Sequence, residues 1–372
     1  MYSNADPMIY LAFFVLLFTL LRMLVAAFNF FTRKWQGESA VSQPRVSVLI
    51  PARNEEKNIG TLLNDLLQQD YPDFEIWVYD DASEDATPDI VREASVKDAR
   101  VKIIKGEALP PGWLGKNHAC YQLSKKATGE YFLFLDADVR VGKRMVKEAL
   151  AHMQKYDLKL LSVFPQQEMH SLAEKLVVPV MNWILVSLLP LRLTRLSPWP
   201  SLSAANGQCM LFDAQVYRYE NFHSCLRNEK VEDIAIFRYM KGLNYRAETL
   251  LGTGQIRCRM YRSYGEAING FSRSVFAFFG ESRLLAFLFG LITALGFVPV
   301  YLGLPATFLV LYFAMVVLLR VFVSLASRQN IVQNILLAPL QQLTFLLLLL
   351  RAGVLQSQKA TLWKGRNVDK IS

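Results

Sequence analysis

Tyr131–Asp138 reads YFLFLDAD, a short apolar run that ends in two carboxylates separated by one alanine. An apolar, aromatic-rich run of this length, bounded by polar residues, predicts a buried β-strand. Two comparable runs lie earlier in the chain, Arg45–Ala52 (RVSVLIPA) and Phe74–Tyr79 (FEIWVY), and polar residues follow both, as RNEE and DDAS. All three predicted strands therefore end in polar or acidic side chains.

A helix is predicted between the first two strands, because apolar residues there recur at the spacing of one helix face. These residues are Ile59, Leu62, Leu63, Leu66 and Leu67. Val101–Lys105 and Leu158–Phe164 predict two further strands. Alternation of strands with helices predicts an α/β fold with a parallel sheet. In such sheets ligands bind outside the carboxyl ends of the strands, where the acidic residues lie.

The chain is more apolar than expected for a soluble enzyme, with 52% hydrophobic and 20% charged residues among 372. Met8–Phe31 is long enough to cross the ~30 Å hydrocarbon core of a bilayer. Three later runs have a similar length: Leu284–Leu304, Pro305–Ala326 and Ile331–Leu350. The first run has no preceding basic residue and no following cleavage site, which favours an uncleaved membrane helix over a signal peptide.

These features divide the chain into predicted regions. We expect an N-terminal transmembrane helix in residues 1–32, a globular domain in 33–283, about three transmembrane helices in 284–354 and a basic tail in 355–372. Within the globular region, residues 171–195 are apolar but contain prolines, an asparagine and an arginine. Their length alone would allow a membrane span, but we interpret them as a segment at the membrane interface.

Basic residues indicate the orientation. Arg33 and Lys34 directly follow the first apolar run, so the positive-inside tendency places the globular domain in the cytoplasm of a multi-pass protein of the cell membrane. Three spans after that domain would put the basic tail outside; the alternative is that one of them is re-entrant or interfacial. A net charge of +9 suits an anionic membrane surface. No basic stripe with interleaved aromatics is present, so nucleic acid is not predicted as a partner.

The two carboxylates of Asp136-Ala137-Asp138 predict a metal site. Mg²⁺ or Mn²⁺ typically binds one or two carboxylates together with substrate phosphates. A sugar nucleotide needs such an ion, because its diphosphate gains charge as the glycosidic bond breaks. The alternative is an acidic turn that caps the next helix.

Two further motifs suggest nucleotide contacts. A carboxylate in Asp80-Asp81-Ala82-Ser83 can accept the imide N–H of uracil, although plain capping of the following helix is the alternative. Lys116, in GWLGKNH just before a predicted helix, is well placed for a phosphate or a base edge. The alternative for Lys116 is a solvated lysine in a surface loop.

Glu232-Asp233 opens another predicted helix and supplies the candidate general base. Such a base must reach the acceptor hydroxyl, but stabilisation by the helix dipole would by itself explain both acids. Further on, a basic and aromatic run contains Arg257, Arg259, Arg262 and Arg273. These arginines could hold a departing diphosphate, or could equally extend towards lipid phosphates at the interface.

PARNEE, DDAS, GWLGKNHA, DAD and VEDIAI occur in the order found in family 2 glycosyltransferases with a GT-A fold, which the chain resembles over roughly Val46–Gly265. It is most similar to the membrane-bound branch that contains ceramide glucosyltransferase and the hopanoid-associated and carotenoid-acid glycosyltransferases. GWLGKNHAC, CRMYRS and Trp363–Arg366 (WKGR) point to the last of these. The resemblance implies a GT-A domain for nucleotide-diphospho-sugars, flanked by transmembrane helices.

The resemblance also implies roles for individual residues. Pro51, Ala52, Glu55 and Asp81 would surround the nucleotide base. Lys116 and Asp136 would contact the nucleotide, Asp138 would hold the metal and Asp233 would be the catalytic base, beside Glu232. To this set we add Arg259 and Arg262 as candidate contacts of the diphosphate. Family members of this kind invert the anomeric centre in one displacement.

Two features depart from the family pattern. The QxxRW signature of processive synthases is absent, which favours a single transfer, and Asn221-Phe222 replaces the usual Gly-Gly ahead of the acidic pair. We therefore predict non-processive, metal-dependent transfer of a hexose from a UDP-sugar to a lipid-like or carotenoid-like acceptor. An intact Asp233 favours a hydroxyl acceptor, because a carboxylic acid is already ionised at neutral pH. The alternatives are transfer to a polyprenyl phosphate, or a membrane protein that binds a nucleotide without catalysis.

Overall fold

The structure is a computed structural model that describes residues 7–33, 42–358, 362–363 and 366–367. These residues form two compact units. An α/β unit contains residues 42–168, 191–260, 362–363 and 366–367, and a helical unit contains residues 7–33, 169–190 and 261–358. Most of the predicted interfacial segment therefore belongs to the helical unit, as do residues 261–283. The predicted domain boundaries and the interfacial position stay predictions.

The strands are, in chain order, β1 (Val46–Ala52), β2 (Phe74–Asp80), β3 (Val101–Lys105), β4 (Tyr131–Leu135), β5 (Val139–Val141), β6 (Leu160–Phe164), β7 (Gln166–Gln167), β8 (Cys209–Asp213), β9 (Ala247–Leu251), β10 (Ile256–Cys258), β11 (Leu362–Trp363) and β12 (Arg366–Asn367). The helices are α1 (Pro7–Thr32), α2 (Ile59–Leu67), α3 (Thr87–Lys97), α4 (Gly115–Lys126), α5 (Met145–Tyr156), α6 (Leu172–Leu188), α7 (Leu193–Leu196), α8 (Ala214–Glu220), α9 (Phe222–Cys225), α10 (Glu232–Gly242), α11 (Tyr264–Phe271), α12 (Arg283–Leu295), α13 (Phe297–Gly303), α14 (Ala306–Ser327), α15 (Ile331–Leu336) and α16 (Ala338–Gln358). A 3₁₀ helix covers Val275–Phe279.

The predicted α/β fold is confirmed, and the five predicted strands form β1 to β4 and β6 of the main sheet. Among the described residues this sheet has seven strands in the order β3-β2-β1-β4-β8-β6-β9. Helices pack on both faces, as the alternation of β1 requires. Val48 and Ile50 of β1 pack with Ile59 of α2 in one core, while Leu49 packs with Leu123 of α4 in the other.

The five predicted strands run in the same direction, as predicted, but the sheet is mixed, because the unpredicted strand β8 runs antiparallel to both β4 and β6. Its register pairs Cys209 with Leu135 and Asp213 with Tyr131. The first residue of β8 therefore lies beside the last residue of β4. An antiparallel strand brings the segment before it to the carboxyl end of its parallel neighbours, so residues 205–208 reach the edge where Asp136 and Asp138 lie.

The helical unit contains the apolar runs. Among the described residues, three helices are long and apolar enough to cross a membrane, namely α1, α14 and α16. A fourth candidate is the pair α12 and α13, which is bent by 52°. Arg33, just after α1, donates to the backbone oxygen of Ala326 at 3.0 Å, so α1 and α14 end side by side. At the far end of the unit's last helix, Arg283 Nε donates to Oε1 of Gln356 at 2.7 Å.

Candidate active site

A pocket of about 140 Å³ opens at the carboxyl ends of β1 and β4 in the α/β unit. It is lined by Pro51, Ala52, Arg53, Glu55, Asp81, Gly115, Lys116, Ala119, Asp136, Ala137 and Asp138. The structure thus brings together the seven residues predicted to surround the nucleotide or to hold the metal. Their roles stay predictions.

The segment after β1 is tied to the segment after β2. The backbone N–H of Asp81 donates to the carbonyl of Ala52 at 2.8 Å, and Arg53 Nη1 donates to the carbonyl of Asp81 at 2.7 Å. Glu55 is also tied to the chain after β2, because its backbone N–H donates to Oγ1 of Thr87 at 2.7 Å. Arg53 was not among the predicted site residues, although its place within PARNEE, at the end of a strand, could have indicated it.

Asp81 does not serve as a helix cap. Helix α3 has Ala86 at its N-cap position, with no side-chain hydrogen bond there. The Asp81 residue is 4% exposed and lines the pocket. Because Asp81 lines the pocket and does not cap α3, capping of that helix does not explain this residue, and its contact with a nucleotide stays a prediction.

Lys116 lies in the first turn of α4 and joins two acidic residues that are distant in sequence. Its Nζ is 2.9 Å from Oδ1 of Asp136 and 3.0 Å from Oε1 of Glu232. Burial acts to lower the pKa of Lys116, but the carboxylates of Asp136 and Glu232 outweigh it and hold this pKa well above its usual value. Lys116 is therefore a charged residue of the site rather than a solvated surface lysine.

The side chain of Asp138 is contacted by Gln208. Nε2 of Gln208 lies 3.4 Å from Oδ1 of Asp138 and 3.0 Å from Sγ of Cys258. The side-chain Oε1 of Gln208 is buried and has no hydrogen-bond partner among the residues that the structure describes. Gln208 was not predicted, and its amide contacts the Asp138 carboxylate.

The pair Asp136 and Asp138 fits a divalent ion that shares its ligands with a substrate. Within the described part of the chain, no group of three or more His, Cys, Asp or Glu side chains is arranged to hold a metal. Mg²⁺ and Mn²⁺ do not need such a group when phosphate oxygens and waters complete the shell. Two carboxylates lining a pocket beside a lysine match that partial set of ligands.

Asp233 and Glu232 form the start of α10, as the sequence predicts. Oδ2 of Asp233 accepts a 2.8 Å hydrogen bond from the backbone N–H of Gly207, and Oδ1 accepts one of 2.8 Å from Ile234. Burial and the neighbouring Glu232 carboxylate raise the pKa of Asp233 to about 7. A carboxylate with a pKa near 7 is suited to take a proton at neutral pH.

Gly207 is surrounded closely by the charged groups. A Cβ at this position would lie 2.9 Å from Nζ of Lys116 and 3.1 Å from Oε1 of Glu232. The carbonyl of Gly207 also accepts a 3.4 Å hydrogen bond from Lys116. Only glycine fits there without displacing these side chains, and nothing in the local sequence pattern had indicated it.

The predicted arginines are assigned to two different units. Arg259 directly follows β10 in the α/β unit, whereas Arg262 precedes α11 in the helical unit and donates its backbone N–H to Glu266 at 2.9 Å. Arg257 is paired with Glu168 at 3.0 Å. The basic run is thus divided between two units, and a diphosphate contact by Arg259 or Arg262 stays a prediction.

Part of the chain that includes the pocket is similar to a known protein family. Residues 47–218 match the sequence model of the family described as Glycosyl transferase family 2. The 4,4'-diaponeurosporenoate glycosyltransferase of Staphylococcus haemolyticus is 38% identical over 120 residues, which cover 32% of this chain and 30% of that protein. The beta-monoglucosyldiacylglycerol synthase of Trichormus variabilis is 34% identical over 125 residues, covering 33% of this chain and 26% of that one. The chain thus spans less than a third of the length of these relatives.

A solved structure confirms the GT-A type of fold. The mannosyltransferase PcManGT from Pyrobaculum calidifontis, in complex with GDP-Man and Mn²⁺, has a TM-score of 0.56 to this chain. The match covers 94% of this chain and 99% of the mannosyltransferase, at 18% identity. At this identity the likeness shows the fold and carries no statement about the substrate.

Proposed function

We propose that this chain, which carries a glycosyl transferase family 2 domain at residues 47–218, transfers a hexose from a UDP-sugar to a hydroxyl group of a membrane lipid. The observation that carries the proposal is the single pocket lined by Asp81, Lys116, Asp136 and Asp138. Lys116 links this pocket to Glu232, the neighbour of the candidate base Asp233.

In this proposal the pocket takes the base of the nucleotide at one end and its diphosphate at the other. Asp81, buried beside the end of β1, is placed to accept an N–H of the base. Lys116 carries the positive charge that a diphosphate needs as it departs, and it lies between two carboxylates that keep it protonated. A carboxylate thus binds the base and a cation binds the diphosphate, and these two contacts orient the anomeric carbon of the donor.

A divalent ion bound by Asp136 and Asp138 would supply positive charge to the leaving diphosphate. PcManGT, of the same fold, was solved with Mn²⁺ and GDP-Man. For this chain the proposal of Mg²⁺ or Mn²⁺ rests on the two pocket carboxylates and on the amide of Gln208 that contacts one of them.

The transfer is proposed as one displacement. The acceptor oxygen bonds to the anomeric carbon from the face opposite the diphosphate, and the bond from that carbon to the diphosphate oxygen breaks with its electron pair. Asp233 takes the hydroxyl proton, and the anomeric configuration inverts. The Gly207 N–H and Ile234 N–H bonds hold the two Asp233 oxygens in place for this step.

The lipid acceptor is proposed from two observations. The two relatives are, by name, enzymes for a carotenoid acid and for a diacylglycerol lipid. The helical unit of this chain has three helices, among those described, that are apolar and long enough to cross a bilayer. Asp233, whose pKa is raised to about 7, favours a hydroxyl acceptor over a carboxylate acceptor, since an ionised carboxylate has no proton for a base to take.

The test uses the full-length protein in neutral detergent with radiolabelled UDP-glucose and UDP-galactose. Separate reactions contain diacylglycerol, a long-chain carboxylic acid and a polyprenyl phosphate. We expect a labelled product from the hydroxyl lipid, and a loss of about 100-fold or more in kcat for Asp233→Asn with UDP binding unchanged. Asp89→Asn is the matched control, because Asp89 also lies in the first turn of a helix but pairs with Arg92 at the surface.

Three results would contradict the proposal. Binding of UDP without transfer or donor hydrolysis in every lipid pool would indicate a nucleotide-binding protein. Full activity of Asp233→Asn would remove this residue from the mechanism. Label that appears only in the polyprenyl phosphate pool would reassign the acceptor to a lipid phosphate.

A further inference from the structure

Two arginines lie inside the apolar helices of the helical unit. Arg22 is in α1 and Arg320 is in α14, and each is only 6% exposed. Neither forms an ion pair with a carboxylate in the part of the chain that the structure describes. Charged side chains within membrane helices are costly, and those that are retained usually mark a binding site or a pathway.

The two guanidinium groups face the same aromatic ring. The Cζ atom of Arg22 lies 4.5 Å from the ring centre of Trp183, and that of Arg320 lies 5.0 Å from it. Arg22 also lies 4.6 Å from the ring centre of Phe289. Aromatic faces attract cations but do not cancel their charge. The arrangement therefore concentrates two like charges around one buried indole.

The hydrogen-bond partners of both arginines are neutral. Arg22 donates through Nε and Nη2 to Oγ of Ser187, at 3.2 and 2.8 Å, and Arg320 donates through Nη1 to the amide oxygen of Gln341. A guanidinium group has five N–H donors in a planar fork that matches a carboxylate or a phosphate. The bonds to Ser187 and Gln341 use a minority of these donors and leave the net charge in place.

A purely structural role does not account for the charge. Asn29, also in α1, joins the same helix α6 by donating to the carbonyls of Val186 and Leu189, both at 2.8 Å. A neutral amide is thus sufficient to attach α1 to α6. Arg22 contacts the same helix at the cost of burying a cation, so the cation itself needs an explanation.

Basic residues also mark the helix ends nearest to this pair. Arg33 follows α1 and contacts the last turn of α14, and Arg328 is the residue that ends α14. At 1.5 Å per residue, Arg22 lies about 15 Å from the end of α1 and Arg320 about 10 Å from the end of α14. The unit thus carries cations both at these adjacent helix ends and at a deeper level, with no described carboxylate paired to the deeper two.

We infer that Arg22 and Arg320 form a binding site for the anionic headgroup, a carboxylate or a phosphate, of a membrane amphiphile. The headgroup would accept from the unused guanidinium N–H groups beside Trp183, and its tail would pack against the apolar side chains of the helical unit. This inference does not rest on the proposed transfer reaction, because all of its residues belong to the helical unit.

The experiment uses the full-length protein in neutral detergent and the fluorescence of Trp183 as the probe. Phosphatidic acid and phosphatidylcholine, with the same acyl chains brominated near the headgroup, are compared as quenchers. We expect half-quenching by phosphatidic acid at a roughly 10-fold lower mole fraction, which corresponds to about 1.4 kcal/mol. Trp183→Phe identifies the part of the signal that belongs to this tryptophan.

Variants separate binding from folding. In Arg22→Gln and Arg320→Gln the preference for phosphatidic acid should fall to less than about 2-fold. Arg22→Lys and Arg320→Lys keep the charge, and the lipid preference is measured on them if the glutamine variants do not fold. Arg351→Gln is the matched control, because Arg351 is an exposed arginine of α16 in the same unit, and it should keep the full preference. Asp233→Asn should also keep it, so a failure of transfer and a failure of this site are distinguishable.

The source of the anion is tested by adding sodium phosphate. If millimolar phosphate displaces the brominated phosphatidic acid, the arginines bind a free anion; if it does not, the ligand is the lipid headgroup. Equal quenching by both lipids would overturn the inference. It would also be overturned if the glutamine variants unfold at a lower temperature but keep the wild-type lipid preference, since the arginines would then be structural.

Discussion

The backbone N–H of Gly207 donates a 2.8 Å hydrogen bond to Oδ2 of Asp233. The next residue, Gln208, approaches Asp138 through its side-chain amide at 3.4 Å. Two adjacent residues therefore position the candidate base and the candidate metal ligand. One loop, just before β8, thus contacts the carboxylates of both Asp233 and Asp138, although these two residues are distant in the sequence.

The first prediction concerns the pH dependence of the reaction. Burial and Glu232 raise the pKa of Asp233 to about 7 from its ordinary value of 3.8. A general base acts only when deprotonated, so kcat/KM should rise with pH up to about 7 and then level off. Below pH 7 we expect a fall of about 10-fold per pH unit. The measurement is kcat/KM from pH 5.5 to 8.5, and the residual activity of Asp233→Asn should lack this limb. A limb that persists in Asp233→Asn would assign it to another group.

The second prediction concerns Gly207. In Gly207→Ala the new methyl group would meet Lys116 and Glu232 at 2.9 and 3.1 Å, so these side chains and the hydrogen bond to Asp233 must shift. We expect kcat to fall by about 100-fold, because small displacements of reacting groups have effects of this size. Gly242→Ala is the control, since a Cβ at that helix position meets nothing within 4 Å. Equal activity of the two variants would show that the close contact at Gly207 has no catalytic role.

The third prediction concerns Asp138. We expect Asp138→Ala to lose the stimulation by Mn²⁺ or Mg²⁺ and to reduce kcat/KM by roughly 100-fold or more, because charge on the leaving diphosphate is then poorly stabilised. Initial rates are measured against metal concentration after treatment with EDTA. Asp89→Ala removes a surface carboxylate and should keep the wild-type metal response. A wild-type enzyme that is insensitive to EDTA would contradict the metal-dependent mechanism.

The fourth prediction concerns stability. Glu75 accepts hydrogen bonds from Ser47, Thr128 and Lys102 at 2.8 to 3.0 Å, and these outweigh burial and lower its pKa to about 2 from 4.5. A lowered carboxyl pKa contributes stability above about pH 4.5, and this contribution is lost as the pH falls towards 2. The shift corresponds to about 3 kcal/mol as an order of magnitude.

Glu75→Gln should therefore lower the unfolding temperature at pH 7 by several degrees. The difference from the wild type should shrink as the pH falls from about 4.5 towards 2. Thermal unfolding of the full-length protein in detergent measures both effects. Glu93→Gln changes an exposed glutamate and should have little effect. A constant difference at all pH values would mean that packing, rather than charge, explains the loss.

Much of the α/β unit could be predicted because its signals are local. The strand ends at Ala52, Asp80 and Leu135 follow from short apolar runs that stop at polar residues. Since parallel strands end at one edge, the sequence also indicated that Asp81, Asp136 and Asp138 would lie near one another. The pocket that they line agrees with that geometry.

The features that were missed depend on how distant segments meet. Strand β8 is five residues long, and its antiparallel direction is decided by where the chain returns to the sheet. No strand was predicted there, and so short an apolar run carries no information about direction. The contacts of Gly207 and Gln208 follow from that return, so no local pattern could indicate them. A role for Arg22 could not be predicted either, because its run was judged by average hydropathy.

The hydrogen bond between Arg283 and Gln356 has a consequence for the path of the chain through a bilayer. A Cβ on Gly303, the last residue of α13, would lie 3.1 Å from Met8, so α13 ends beside the start of α1, while α14 ends beside Arg33. Helix α16 then begins near Arg320 of α14 and finishes beside Arg283, the first residue of α12. These contacts favour the alternative in which α16 returns to the face from which it starts. We therefore expect the polypeptide to leave α16 on the side where it left α1, which is the topology that cysteine labelling from each face of sealed vesicles would detect.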